Sequence, residues 1–128
     1  MSFTIKDVSD KLNLSTHTIR YYEKEGVIPK VKRNDNGVRE YTTTDIQWLE
    51  LVCCLKETGM PLKNIKQIVR LSLVTNTEDT LEERLEILTN HKNKVLEHMK
   101  STEKNLMKIN KKIDYYKGNV NCKEGKIQ

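Results

Sequence analysis

Residues 15–41 read STHTIRYYEKEGVIPKVKRNDNGVREY, and the rest of the chain is arranged around them. Ser15 suits a helix N-cap, because its hydroxyl can accept a bond from an amide that has no partner inside the helix. The helix then runs through Thr18, Ile19, Tyr22 and Lys24 and stops at Gly26, where a C-cap glycine belongs. Thr16, His17, Arg20 and Tyr21 put donors near its start or on its polar side. Past Pro29 the pattern changes. Val31-Lys32-Arg33 and Val38-Arg39-Glu40-Tyr41 are short extended runs joined by Asn34-Asp35-Asn36-Gly37. Asn-Gly between such runs is a strong hairpin signal, with both central turn residues expected at positive φ. A short polar-faced helix followed at once by a basic ribbon is the layout of a winged helix-turn-helix. The helix suits a DNA groove and the ribbon the backbone beside it.

Upstream, Thr4 with Asp7 forms a capping box for a first helix whose apolar side is Ile5, Val8, Leu12 and Leu14. Asn13 to Ser15 make the turn into the second helix. Ile5, Val8, Leu12, Ile19 and Tyr22 read as the small core between the two. Downstream, Thr42 with Asp45 caps a third helix through Ile46, Trp48, Leu49, Val52 and Leu55 to Gly59. Pro61 opens a fourth at its tolerated first position, carrying Leu62, Ile65, Ile68 and Val69. Residues 72–77 form a short connection.

From Thr80, itself boxed with Glu83, the character changes. Leu81, Leu85, Leu88, Lys92, Val95, Met99, Thr102, Leu106, Ile109, Ile113 and Tyr116 recur in strict 4-3 alternation, with no Gly or Pro before Gly118. The resulting helix is on the order of 50 Å long and cannot bury such a seam against a small head alone. A coiled coil between two subunits is expected, with Leu81, Leu85, Leu88, Val95, Met99, Leu106, Ile109 and Ile113 as its dimerisation residues. The competing reading is a helix folded back on its own domain. Lys92 and Thr102 interrupt the seam, and polar seam positions can set register. The expected organisation is mostly α: a head of four helices and a small β-hairpin wing over 1–75, a long dimerisation helix over 76–117, and a flexible tail over 118–128.

The 128 residues are 36% apolar and 32% charged, which leaves a modest core of the kind a partner subunit often completes. A net charge of +5 permits phosphate binding without demonstrating it. No apolar run approaches the roughly 20 residues needed to cross a bilayer, and nothing at the N-terminus reads as a signal peptide. Three cysteines, two of them adjacent, make no disulfide framework, so the cytoplasm is the expected compartment and no membrane contact is expected.

The DNA-binding candidates are Ser15, Thr16, Thr18, Arg20 and Tyr21 on the helix and Lys32, Arg33, Arg39 and Tyr41 on the ribbon. Each alone reads equally as an ordinary solvated side chain; the case rests on their sharing one unit. Tyr22 and Tyr41 fit a core or hinge role as well as they fit contact. Arg33 and Arg39 are expected on backbone rather than bases, and Thr16 or Thr18 closer to sequence preference.

TIRYYEKEGVIP, the wing ending GVREY and the following DIQWLELV resemble the DNA-binding head of MerR-type transcription regulators, and the resemblance extends to about Tyr116. It implies a dimer with antiparallel long helices, reading a palindromic element with the second helix in the major groove and the wing on flanking backbone. It also implies a promoter with an overlong spacer, which the activated dimer bends and undertwists while RNA polymerase is present. Deformation of that kind is driven by phosphate contacts.

The signal must then be asked of the cysteines. Neighbours on a helix diverge by about 100°. Cys53 shares its direction with Ile46 and Leu49 and reads as core. Cys54 falls among Gln47, Glu50, Glu57 and Thr58, on the polar side. Metal sensors of the family carry a cysteine pair after the long helix; here only Cys122 lies there, and no Cys spacing of about two to four residues exists. His91 and His98 read as solvated. No metal, cofactor or catalytic residue is therefore expected. Drug-sensing relatives carry a large C-terminal ligand domain, which this sequence is expected to stop short of. What remains resembles the short thiol- or aldehyde-responsive branch, whose third-helix cysteine aligns with Cys54, the candidate sensor. Two other readings stand beside the regulator: a thiol-dependent enzyme using Cys54, and a coiled-coil adaptor whose head binds protein.

Overall fold

The computed structural model describes residues 2–73 and 77–122. Helix α1 spans Ile5–Leu12 and opens on the expected box: Thr4 Oγ1 accepts from the Asp7 amide and Asp7 Oδ2 from the Thr4 amide, both at 3.0 Å. It ends at Asn13, which takes a left-handed φ of 55°, with the amides of Asn13 and Leu14 turning back to the Ser9 carbonyl. Helix α2 spans Thr16–Lys24, with Ser15 Oγ accepting from the Thr18 amide at 3.0 Å. Its exit needs a residue free of the Cβ penalty. Gly26 sits at φ +73°, which lets the Val27 amide reach the Tyr22 carbonyl at 2.9 Å.

The wing is β1, Lys32–Arg33, paired antiparallel with β2, Arg39–Glu40, in the register Lys32 to Glu40 and Arg33 to Arg39. The hairpin stands where Asn-Gly placed it, but its turn is not the expected one. Only Gly37 has positive φ, at +80°, and Asn36 does not. The Gly37 amide donates to the Asn34 carbonyl, and the Asn34 amide to the Val38 carbonyl, so the loop is one residue longer than a two-residue turn. Asn34 Oδ1 accepts from the amides of Asn36 and Val38 at 2.9 and 3.0 Å. With the Asn34 side chain satisfying those amides, glycine alone carries the left-handed strain. The wing's exit is closed by a bridge that periodicity does not reveal: Phe3 and Tyr41 exchange both amide–carbonyl bonds, at 2.8 and 2.9 Å.

Helix α3, Thr43–Glu57, starts on the Thr42–Asp45 box, and α4 spans Leu62–Ser72 with Pro61 just outside it as the N-cap. A 3-10 turn over Thr77–Thr80 leads into α5, Leu81–Cys122. The Thr80 hydroxyl donates to the Leu71 carbonyl and accepts from Arg84 Nε, both at 3.0 Å, which fastens the end of α4 to the start of α5. The core gathers Val8, Ile19, Tyr22, Val27, Val31, Tyr41, Leu49, Val52 and Ile65, with Ile5 and Leu12 packed at its margin.

Packing divides the chain after Leu88, later than the expected head boundary at 75. The reason is local: Ile87 and Leu88 pack against the head's core. Leu88, expected in the dimer seam, therefore lies half-buried in its own head, whereas Leu81 and Leu85 are exposed. In the second unit the helix leaves Met99, Leu106, Ile109 and Ile113 exposed, with Val95 half-buried. Tyr115 and Tyr116 stand 5.9 Å apart, and Lys112 Nζ lies over both rings. The helix continues through Gly118 to Cys122, into the stretch expected as a tail; residues 123–128 lie outside the described ones. No helix among the described residues is long and apolar enough to cross a membrane.

Candidate nucleic-acid interface

Arg20 and Tyr21 are exposed on α2, and Ser15 is exposed at its start. Ser15 Oγ caps the helix and also donates to Thr18 Oγ1 at 2.8 Å, so these two hydroxyls are engaged with each other. Thr16 and Thr18 are half-buried. On the wing, Lys32 and Arg33 are exposed, and Arg33 Nη1 donates to the Gly37 carbonyl at 2.9 Å, bracing the tip. The tip also presents Val38, an apolar side chain 56% exposed beside these cations.

What sets the angle between helix and wing is Glu23. Its Oε2 accepts from the Val31 amide at 3.0 Å, and its Oε1 accepts from Arg39 Nε at 2.6 Å. The Glu23 side chain is only 9% exposed and that of Arg39 25%. In that setting the pair is little screened, and both carboxylate oxygens are satisfied. Arg39 is therefore a strut between β2 and α2 as well as a cation on the ribbon. Sequence reasoning missed Glu23. Glu23 stands between Tyr22 and Lys24, with a second acid at Glu25, and nothing in the spacing pairs it with a residue sixteen positions away.

Together these elements form a small hollow, about 180 Å³, between the start of α1, α2 and the wing. Arg20, Arg33 and Arg39 all line it. Arginines lining one recess can hold an anionic oxygen by charge-assisted hydrogen bonds from the donors left free by the Gly37 and Glu23 contacts. Tyr41 is not among these surface groups and corrects the expectation of a DNA contact: it is wholly buried, because the Phe3 bridge draws its backbone into the head. Burial raises its phenol pKa, as it does for Tyr22, and both remain neutral near neutral pH.

On α3, Cys54 is exposed, as its place among polar residues implies. Cys53 is half-buried and lines a recess together with Leu12, Leu14 and Tyr22. Burial pushes the Cys53 thiol up, and Glu57, Cys54 and Glu50 push it further in the same direction. At neutral pH it is thus held as thiol, the unreactive form. No cluster of three or more potential metal ligands occurs among the described residues.

The sequence profile of the family described as MerR HTH family regulatory protein matches residues 3–72. An uncharacterised HTH-type transcriptional regulator of Haemophilus influenzae is 36% identical over 116 residues, covering 91% of this chain and 84% of that protein. HiNmlR, a MerR family regulator lacking the sensor domain and solved bound to promoter DNA, superimposes with a TM-score of 0.85 at 36% identity, covering 92% of each chain. A MerR family transcriptional regulator from Bacillus thuringiensis matches with a TM-score of 0.80 at 38% identity, over 89% of this chain and 98% of its own.

Glu23→Gln keeps an acceptor for the Val31 amide but removes the charge facing Arg39, whereas Glu23→Ala removes both. The first is expected to cost about 1–3 kcal/mol and the second more, read from urea midpoints. Equal costs would show that the bond to Val31 contributes nothing to wing placement.

Proposed function

The chain belongs to the MerR HTH family of regulatory proteins, and from that membership we propose that it binds promoter DNA as a homodimer and regulates transcription there. The observation that carries this reading is the hollow in which α1, α2 and the wing bring Arg20, Arg33 and Arg39 together. Helix α2 enters the major groove with Tyr21 and Arg20 outward, and Lys32 and Arg33 rest on the neighbouring backbone. Thr16 and Thr18, near the start of α2, stand closest to base edges. A relative of the same fold, matched over 92% of each chain, was solved on promoter DNA, which supports the assignment.

The dimer is built by α5. Its exposed Met99, Leu106, Ile109 and Ile113 share one seam, and burying such side chains is worth about 1.5–3 kcal/mol each. Two heads then meet two half-sites. In the proposed mechanism the operator lies in an overlong promoter spacer, with RNA polymerase on the same DNA in the cytoplasm. Bending and undertwisting that spacer costs of order 1–6 kcal/mol, offset by the added phosphate contacts. The switch is a thiol on α3. Cys54 is exposed where Cys53 is recessed, so an electrophile or oxidant meets Cys54 first. An adduct there adds bulk at the junction with the partner subunit, and packed interfaces shift between discrete arrangements.

In duplex titrations over a range of salt, Arg33→Ala is expected to weaken binding to all sequences alike and to lower the salt slope by about one. Loss at a single base position would mean that Arg33 reads sequence instead.

Leu106→Lys with Ile109→Lys should give a monomer in sedimentation while the head's circular dichroism is retained, and operator affinity should collapse. A tight dimer surviving both changes would remove α5 as the interface. Leu88 is left intact in this experiment, because its loss would disturb the head itself.

Transcription from the operator with an inducing aldehyde or quinone should respond in Cys53→Ser and Cys122→Ser proteins and fail in Cys54→Ser. A normal response in Cys54→Ser protein that still binds operator would rule out the thiol switch and leave the DNA-binding reading standing.

A further inference from the structure

A second, larger recess opens beside the Glu23–Arg39 pair. It measures about 780 Å³, with walls from the C-terminal half of α2, the loop 25–30 and α4. That is within the roughly 300–1,000 Å³ of small-molecule sites. Its floor is apolar: Ile28 and Val69 are buried beneath it, and Leu73 stands 60% exposed at its edge. Its rim is cationic. Lys24, Lys30 and Arg70 line it and are exposed, and none forms a salt bridge among the described residues. The two carboxylates that line the cleft are already paired, Glu23 with Arg39 at 2.6 Å and Glu25 with Lys66 at 3.4 Å.

We infer that this cleft binds an amphiphilic carboxylate, with its apolar body on Ile28, Val69 and Leu73 and its anionic head at Lys24, Lys30 and Arg70. Two complementarities select this occupant. A neutral apolar molecule leaves the rim cations uncompensated. A DNA backbone answers the cations but has no apolar body for the floor, so that surface stays wet. A carboxylate on a hydrocarbon or aromatic body satisfies both, since the apolar contact and the charge-assisted bonds act on separate parts of one molecule. Arg20 and Arg39 line both this cleft and the smaller hollow by the wing. Arg39, paired with Glu23, is thus a wall of the cleft as well as part of the strut that holds the wing. The binding step goes beyond the DNA-binding reading and does not require it.

The test uses the full chain without DNA, titrated by calorimetry with decanoate below its micelle concentration, and with decanol and inorganic phosphate as comparisons. Decanoate is expected to bind saturably, and decanol and phosphate at least about tenfold more weakly, a difference of 1.4 kcal/mol. Leu73→Asp and Arg70→Glu, both at exposed positions, should each weaken decanoate about tenfold or more while circular dichroism stays unchanged. Absence of saturable decanoate binding, or binding indifferent to both substitutions, overturns the inference. A parallel duplex titration separates the other occupant. If Arg70→Glu lowers duplex affinity and wild type takes up no decanoate, the cleft is a seat for DNA backbone and the carboxylate site does not exist.

Discussion

The carboxylate of Glu23 is the constraint on which the geometry of the head depends. A wing with two residues in each strand has too few ladder bonds to hold itself in place. Its position must be imposed from outside. Glu23 does this from the body of α2, taking the Val31 amide before the wing and Arg39 within it. The helix and the ribbon of the proposed DNA interface are thereby locked to one another through a single side chain. The Phe3–Tyr41 bridge anchors the other side of the ribbon. Between the two anchors the tip is braced by the Asn34 side chain and by Arg33.

Much of this was legible in the residues because local chemistry determined it. Thr4 with Asp7 and Thr42 with Asp45 start helices where the box geometry requires, and Gly26 ends one where a left-handed residue is needed. The 4-3 seam gave a continuous helix, since nothing before Gly118 could break it. The losses came where partners are distant or where two roles share one pattern. Leu88 obeys the heptad yet packs on its own head, because the first turns of α5 lie against the core and periodicity cannot say which surface comes first. Asn36-Gly37 marks a turn of either type, and the choice falls to the Asn34 side chain two residues before Asn36. Tyr41 carries the same residue type whether it faces phosphate or core; only the bridge to Phe3 decides. At the candidate interface the cations were visible, and the acid that aims them was not.

The paired cysteines show how one helical step separates two chemistries. Cys53 points toward Tyr22 and the end of α1, where burial and nearby negative charge keep sulfur protonated. Cys54, one position on, meets solvent. A reagent that reads thiols on α3 thus meets the exposed sulfur first, and the half-buried one lines the recess between α3 and the first two helices.

The Phe3–Tyr41 bridge also bears on how the head is made. Glu23 and Arg39 are closer in sequence than Phe3 and Tyr41, so their contact can form while the chain is shorter. Phe3 must wait until the whole of α1, α2 and the wing has emerged, because the strand it pairs with lies beyond all of them. Contacts of longer separation carry a greater loop-closure cost and tend to form late. The first segment of the head to be synthesised is thus fastened only after Glu23 and Arg39 can already meet. When it docks, it joins the start of α1 to the exit of the wing, and the two can then loosen only as one cooperative unit.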